Sequence, residues 1–440
     1  MRQFSVVGRL VLWLCVYGPN AFLISPASAQ NGDAADGSDG VSATEQGIWD
    51  MQVLSQVPAM TWLDAESPIR SLTYEGESWQ GRTTSVFAFY ATPGTISGDK
   101  SADRDLPAVV LVHGGGGTAF AEWVLLWAQR GYAAIAMDLS GRRPAAPVFR
   151  QGQLVSSLKS ERTRLTDGGP EQGHAEKFDS VGGDQSDDWP FHAVANVIRA
   201  HSLVRSFDEV DADRTAVTGI SWGGYTTCIV ASVDSRFKAA VPVYGCGFLY
   251  DGESVQRPLI DALPAARRAE WIRRYDPSSH LSRCQVPILF VNGTNDRHYP
   301  LRSYSRSYSL VPGPKQIRLE VNMRHSHQAG WEPQEIGLFI DSHLQKGTPL
   351  PVLKPPVVEQ GRAQVAFESA LPLKSTSLHF TTDDGPLLQR RWKTLPAEIE
   401  GQSIRTGRLP ADVTLWMVSA TDSRGAMTST DVVFAAEGGE

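Results

Sequence analysis

The chain has 440 residues, of which 41% are hydrophobic and 20% are charged. Single cores usually stop growing below this length, so we expect one domain of about 250–300 residues and a smaller second one. The formal net charge of −7 argues against a nucleic-acid partner, because phosphate backbones are bound by clustered basic residues.

The N-terminus has the pattern of a secretory signal peptide. Two arginines precede an apolar run at residues 10–17, and the small-residue motif Ala27-Ser28-Ala29 follows. We predict a signal peptide over residues 1–29, cleavage before Gln30 and export to the periplasm or the extracellular space. The alternative is an uncleaved anchor, but Gly18-Pro19-Asn20 interrupts the apolar stretch before the roughly 20 residues that a span needs. We therefore expect no stable membrane span after cleavage. Cleavage would leave 39 basic residues against 48 acidic ones, a net charge of −9.

Composition divides the remaining chain. Residues 30–46 are small and polar and predict a flexible leader. We assign residues 47–348 to a catalytic domain, 349–357 to a proline-rich linker and 358–440 to an accessory domain. Within the catalytic domain, residues 142–190 are polar and glycine-rich without a clear period, which is typical of a loop at a pocket rim.

Short apolar runs alternate with helix-length segments in the catalytic domain. Helical spacing of apolar residues is clearest at His192–Val204 and Gln334–Leu344. This alternation predicts an α/β fold with a mostly parallel central sheet and helices on both faces. The predicted parallel strands are Ala108–Val112, Ala133–Met137, Thr215–Thr218, Ala239–Val243 and Pro287–Val291.

After the linker, short strands separated by turn clusters predict a small β-sandwich of immunoglobulin-like type. These strands are Ala363–Glu368, Thr376–Thr381, Gln389–Lys393, Val413–Ala420 and Thr430–Ala435.

The mature chain would keep three cysteines, Cys228, Cys246 and Cys284. An odd and sparse set does not make a disulfide framework, and its spacing fits no zinc site. At most one bridge could form. Whether Cys246 and Cys284 pair stays open, but buried free thiols are the expectation. The sequence predicts neither a cofactor nor a metal.

The strongest motif is Gly219-Ile220-Ser221-Trp222-Gly223-Gly224, directly between a predicted strand and a predicted helix. A serine at such a turn has its hydroxyl exposed above the sheet, and the flanking glycines permit the tight backbone. Ser221 is therefore the predicted nucleophile. The alternative is a plain glycine turn.

A second motif is His113-Gly114-Gly115-Gly116-Gly117, which follows a predicted strand. Backbone N–H groups of such a loop can stabilise the oxyanion of acyl transfer together with the amide after the nucleophile. We assign an oxyanion hole to Trp222, Gly114 and Gly115, and a structural role to His113. A phosphate-binding loop is the weaker alternative, because no Lys-Ser/Thr follows.

The acid and the base should follow later strands. Asp296 lies directly after the strand at 287–291. A histidine-rich loop, Arg324-His325-Ser326-His327, follows a further predicted strand, Gln316–Val321. The order serine, aspartate, histidine is that of α/β hydrolases. We predict a triad of Ser221, Asp296 and His325. Asp296 could instead be a turn residue, and spacing alone does not exclude His327 as the base.

These motifs, with Gly219–Tyr225 (GISWGGY) and Phe237–Phe248 (FKAAVPVYGCGF), resemble the bacterial acetyl xylan esterase and cephalosporin C deacetylase group, and the related catalytic domains of prolyl oligopeptidases. The resemblance covers roughly 69–350. It implies an α/β-hydrolase fold and the triad roles given above. Ser326 stands where the oligopeptidase pattern has glycine, which leaves the choice between His325 and His327 open.

The resulting prediction is an exported serine hydrolase that removes acetyl groups from carbohydrates, with a small-molecule or polysaccharide ester as its substrate. A serine peptidase of prolyl oligopeptidase type is the alternative. Those enzymes carry a large N-terminal propeller, and only about 75 residues separate the predicted cleavage site from the first parallel strand. A binding protein on an inactive scaffold is disfavoured because every predicted triad member is present in order.

Overall fold

The computed structural model of the protein describes residues 47–155, 158 and 161–435. The predicted signal peptide, its cleavage site and the predicted leader to residue 46 lie outside these residues. In the described part of the chain, no helix is long and apolar enough to cross a membrane.

Nine of the strands in the described part of residues 47–348 form one sheet. In chain order the strands are β1 (Met60–Asp64), β2 (Arg70–Glu75), β3 (Ser85–Ala91), β4 (Leu106–Val112), β5 (Ala133–Met137), β6 (Arg142–Pro144), β7 (Val148–Arg150), β8 (Gln153–Val155), β9 (Arg162–Arg164), β10 (Val210–Ile220), β11 (Ala239–Val243), β12 (Ile288–Gly293) and β13 (Lys315–Glu320). The large sheet has the order β1-β2-β3-β5-β4-β10-β11-β12-β13. Neighbours from β5 to β13 are parallel, whereas β1, β2 and β3 are joined to each other and to β5 antiparallel. The mostly parallel sheet predicted from the apolar runs is confirmed.

Helices cover this sheet. They are α1 (Met51–Leu54), α2 (Pro93–Ser97), α3 (Ala121–Gln129), α4 (Trp189–Val204), α5 (Trp222–Val233), α6 (Arg257–Asp261), α7 (Ala265–Tyr275), α8 (Leu301–Leu310), α9 (His327–Trp331) and α10 (Gln334–Leu344). Helix α4 packs beside α5, and Arg130 at the end of α3 is bonded to Asp341 of α10. Strands β4, β5 and β11 lie between these helix pairs and are buried along their whole length, as a sheet covered on both faces requires.

Residues 142–190 contain more structure than their composition predicts. Strand β6 pairs with β9, and β7 pairs with β8, both antiparallel. A five-residue π-helix, Ala175–Asp179, follows. Each strand has only three residues, which is too short for an alternating pattern to be visible in the sequence.

The C-terminal residues form two antiparallel sheets. Their strands are β14 (Val352–Leu353), β15 (Val357–Glu359), β16 (Arg362–Glu368), β17 (Leu373–Thr381), β18 (Lys393–Pro396), β19 (Glu398–Glu400), β20 (Ser403–Arg408), β21 (Leu415–Asp422), β22 (Met427–Ser429) and β23 (Val433–Phe434). One sheet has the order β14-β16-β20-β19 with β15 beside β16, and the other β18-β17-β21-β22 with β23 beside β21. Val365, Ile404, Leu378 and Trp416, two from each sheet, lie in one buried cluster. This arrangement confirms the predicted second β-structure of two packed sheets.

The predicted strand at Gln389–Lys393 is wrong. Residues 387–389 form a 3₁₀ turn, and strand β18 begins only at Lys393. The physical reason is a side chain of the loop after β12, because the Asn295 amide donates to the carbonyls of Leu387 and Arg390 at 3.0 and 2.9 Å. These carbonyls are therefore engaged away from a strand ladder.

The second C-terminal sheet packs directly on the region that holds the nine-stranded sheet. Leu415 and Met417 of β21 belong to the main hydrophobic core and not to the core of the sandwich. The Leu319 amide of β13 donates to Ser429 Oγ at 3.0 Å, and the Met427 amide donates to Glu335 of α10 at 2.7 Å. The described residues form one compact unit. The domain boundary at 349–357 and the immunoglobulin-like topology stay predictions.

Candidate active site

Ser221 lies at the turn between β10 and α5. Its φ of 59° and ψ of −118° are an unusual backbone conformation for a non-glycine residue and cost on the order of 1–3 kcal/mol. Close packing at this turn leaves no room for a side chain at position 219 or 223. A Cβ at Gly219 would lie 2.3 Å from the Gly223 carbonyl oxygen, and one at Gly223 would lie 2.0 Å from the Val112 carbonyl oxygen. The two glycines of the motif are therefore required by contact as well as by turn geometry.

The structure brings the three predicted triad residues together. Ser221 Oγ lies 3.0 Å from His325 Nε2, and His325 Nδ1 lies 2.6 Å from Asp296 Oδ2. With the proton on Nδ1, the imidazole donates to the carboxylate and accepts the serine proton at Nε2. This is a continuous path from the serine hydroxyl to a carboxylate.

Asp296 is held by backbone groups of the loop after β12. Its Oδ1 accepts from the amides of His298 and Tyr299 at 2.7 and 2.9 Å, and only 1% of its side chain is exposed. One oxygen is thus anchored to the loop while the other faces His325. The His298 ring lies 4.7 Å from the His325 ring, centroid to centroid, so His298 is a wall of the site.

His325 is oriented by Tyr244, a residue that the sequence analysis missed. The Tyr244 ring stacks on the imidazole at 4.5 Å, and its hydroxyl donates to the Arg324 carbonyl at 2.6 Å. Tyr244 has a φ of 57°, an unfavourable conformation for an aromatic residue. A tyrosine directly after an apolar strand carries no signal for this role in sequence.

The glycine loop after β4 lies beside the nucleophile, and a Cβ on Gly114 would be 2.9 Å from the Cβ of Ser221. His113 has a structural role here. Its Nε2 accepts from the Leu139 amide at 2.8 Å, and its Nδ1 therefore donates to the Gly114 carbonyl at 2.7 Å. Arg162 of β9 donates to the carbonyls of Gly116 and Gly117 at 2.8 and 2.5 Å. The segment 142–190 therefore helps to fix the loop.

Of the two predicted glycine donors, Gly114 is already engaged. Its amide donates to His327 Nε2 at 3.0 Å, because the loop after β13 brings this imidazole against the glycine loop. Burial, together with neighbouring His113, His325 and Arg162, lowers the pKa of His327 to about 4, so the ring is neutral and can accept this bond. The assignment of Gly114 as an oxyanion donor does not fit the structure.

Gly115 and Trp222 fit that role. The Gly116 amide donates to Gln172 Oε1 at 3.3 Å, but among the described residues nothing accepts from the Gly115 amide. Trp222 is the first residue of α5, where backbone N–H groups lack intrahelical acceptors. A Cβ on Gly115 would lie 3.0 Å from the Trp222 indole, so the two residues are adjacent.

Aromatic side chains of the 142–190 segment surround Trp222. Its indole packs edge-on to Trp189 at 5.8 Å and to Phe178 at 6.4 Å. The Lys177 ammonium lies 4.8 Å from the ring centre, and burial lowers the pKa of Lys177. The π-helix at 175–179 therefore places a cation beside the predicted oxyanion residue, which its composition did not indicate.

Cys228, Cys246 and Cys284 are buried free thiols, as predicted, and burial raises the pKa of each. Within the described ranges, no group of three or more His, Cys, Asp or Glu side chains is placed to hold a metal ion.

Residues 72–284 match the family described as acetyl xylan esterase. The match confirms the resemblance. It includes the Ser221 motif and supports an enzyme that hydrolyses ester bonds. Residues 253–383, which include Asp296 and His325, match the family described as PhoPQ-activated pathogenicity-related protein.

Several solved structures are similar to this chain. An acetyl xylan esterase from Paenibacillus sp. is 22% identical, covers 67% of this chain and 92% of its own, and has a TM-score of 0.49. Acetyl xylan esterase 1 from Thermoanaerobacterium sp. is 17% identical, with coverage of 66% and 91% and a TM-score of 0.49. An acylaminoacyl peptidase from Pyrococcus horikoshii is 16% identical, with coverage of 63% and 42% and a TM-score of 0.43.

Proposed function

We propose that this protein is an exported serine esterase that removes acetyl groups from carbohydrates by way of an acyl-enzyme on Ser221. One observation carries the proposal: the unbroken path from Ser221 Oγ through the His325 imidazole to Asp296, beside the Gly115 and Trp222 amides, for which no described residue is an acceptor. The family match over residues 72–284 supports an acetyl ester as the substrate.

The geometry supports a two-step reaction. His325 Nε2 takes the serine proton as Oγ attacks the ester carbonyl, and Asp296 stabilises the resulting imidazolium. The amides of Gly115 and Trp222 stabilise the oxyanion, and one such donor contributes on the order of 3 kcal/mol. His325 then returns the proton to the leaving sugar oxygen. In the second step it activates a water molecule that releases acetate.

The test compares Ser221→Ala with Ser235→Ala, which changes an exposed serine outside the site. On p-nitrophenyl acetate, kcat/KM should fall by about 10³-fold or more for Ser221→Ala and stay unchanged for the control. Wild-type protein quenched during turnover should carry an acetyl group at Ser221 in a peptide mass map. Retained turnover in the Ser221 variant would contradict the mechanism.

The substrate proposal has its own test, in which the wild-type enzyme is given acetylated xylan, longer p-nitrophenyl esters and a proline-containing peptide amide. Acetate release from the polysaccharide with no peptide cleavage is the expected result. Peptide cleavage at a comparable kcat/KM would instead indicate a peptidase.

A further inference from the structure

Tyr299 has a buried hydroxyl without a hydrogen-bond partner among the described residues. The residue is 1% exposed, and the seven other tyrosines that are as deeply buried all donate a hydrogen bond. An unsatisfied buried hydroxyl costs about 1–3 kcal/mol. Tyr299 lies in the candidate active site, where its hydroxyl is free to form a hydrogen bond during the reaction.

The phenol is held rigidly against the triad. The Tyr299 amide donates to Asp296 Oδ1 at 2.9 Å, and its carbonyl accepts from the Asn292 side chain at 2.8 Å. Its ring lies 6.2 Å from the His325 ring and almost parallel to it, with an angle of 5° between the planes. The orientation of Tyr299 is therefore set by the same loop that positions the carboxylate.

The Tyr299 ring lies beside the His325 imidazole, whose Nε2 is 3.0 Å from Ser221 Oγ, so the nucleophile belongs to the surroundings of this phenol. Burial raises the pKa of Tyr299 well above its ordinary value, the Cys246 thiol raises it further, and the adjacent Ser221 hydroxyl lowers it. The phenol consequently keeps its proton and can donate a hydrogen bond at neutral pH. In the structure, the Tyr299 hydroxyl forms no hydrogen bond with Ser221 or with any other described residue.

Charge develops on Ser221 Oγ twice in the proposed reaction. It grows as the serine proton moves to His325 during attack, and again when Oγ leaves the acetyl carbon during deacylation. A hydrogen bond to an oxygen that gains charge is stronger than one to a neutral hydroxyl. A donor beside Oγ would stabilise the transition state more than the ground state, which is the condition for faster chemistry.

We infer that Tyr299 is a further catalytic residue, whose phenol donates a hydrogen bond to Ser221 Oγ while that oxygen carries charge. The phenol keeps its proton throughout, and the transferred proton moves only between Ser221, His325 and the leaving or attacking oxygen. The inference rests on the proposed function, since it assigns a role in the same reaction.

Tyr299→Phe tests it, because this change removes only the unpartnered hydroxyl. We expect kcat/KM for p-nitrophenyl acetate to fall by about tenfold or more while the melting temperature stays equal or rises. Both the acetylation burst and the steady-state deacylation rate should decrease. A 3-fluorotyrosine at position 299, which keeps the donor and makes it more acidic, should retain activity.

Tyr304→Phe is the matched control. Tyr304 is equally buried, but its hydroxyl already donates to the Val291 carbonyl at 2.8 Å. This variant should lose thermal stability and keep kcat/KM within about twofold of the wild type. Wild-type activity in Tyr299→Phe together with inactive Ser221→Ala would overturn this inference alone. Activity in Ser221→Ala would overturn the proposed function as well.

Discussion

Two histidines of one loop have different partners in this protein. His325 Nε2 faces Ser221 Oγ at 3.0 Å, whereas His327 Nε2 accepts from the Gly114 amide at the same distance. Only one residue lies between the two histidines, but helix α9 begins at His327. The two rings therefore face different partners, and His327 points toward the glycine loop. In the proposed mechanism, His325 is thus the proton acceptor and His327 anchors the glycine loop.

This division predicts unequal effects of substitution. His325→Ala should reduce kcat/KM on p-nitrophenyl acetate by about 10³-fold or more, since the serine loses its base. His327→Ala should cost about tenfold, because the Gly114 amide loses its acceptor and the neighbouring Gly115 amide loses its fixed position. His327→Gln, which can offer an acceptor oxygen, should recover part of that loss. A larger loss for His327→Ala than for His325→Ala would reverse the assignment.

At the scale of elements, side chains of the 142–190 segment hold the glycine loop in place. Strand β4 brings it to the edge of the sheet, but Arg162 of β9 and Gln172 hold its carbonyls and one amide. The Arg164 guanidinium, from the same strand, donates to the Ser140 carbonyl at 2.9 Å and to the Gly169 carbonyl at 2.6 Å. The segment 142–190 thus links the oxyanion side of the site to the chain that follows β5.

We therefore expect Arg162→Ala to act on catalysis without contact with the substrate ester. Release of the Gly116 and Gly117 carbonyls should lower kcat by about tenfold, because the Gly115 donor would no longer be preorganised. Arg143→Ala removes an exposed arginine from the paired strand β6 and is the matched control. Equal kcat values for the two variants would show that the loop keeps its geometry without Arg162.

At the scale of the whole molecule, the C-terminal sheets share the core of the hydrolase. Leu415 and Met417 are at most 3% exposed and pack in the main cluster. Asn295, the neighbour of Asp296, donates to the Leu387 carbonyl, and Ser305 Oγ donates to Asp431 at 2.6 Å. Contacts thus cross the predicted domain boundary at 349–357, both next to Asp296 and elsewhere.

A chain that ends at residue 351 tests how independent the hydrolase region is. Its main core would lose the cover of strand β21, and each buried large apolar side chain contributes about 1.5–3 kcal/mol. We expect low soluble yield or a melting temperature more than about 10 °C below that of the full chain. Leu415→Ala in the full chain should lower stability without changing the site. A truncated protein with the full-length melting temperature and activity would show two independent domains.

Local patterns of the sequence determined the strands of the parallel sheet, the serine turn and the order of the triad. Continuous apolar runs specify buried parallel strands, and glycines at 219 and 223 mark a tight turn between a strand and a helix that exposes a serine. These features depend on neighbours along the chain, so a single sequence is sufficient to predict them. The family match over residues 72–284 agrees with them.

Tertiary structure alone decided the rest. The exclusion of Gly114 as a donor depends on His327, which lies 213 residues later in the chain. That no described residue pairs with the Tyr299 phenol depends on how its loop packs in the folded chain. The false strand at 389–393 has the same cause, because Asn295 binds that backbone from about 95 residues away. Hydrogen bonds between distant segments leave no periodic signal, and only the folded chain shows which polar groups they satisfy.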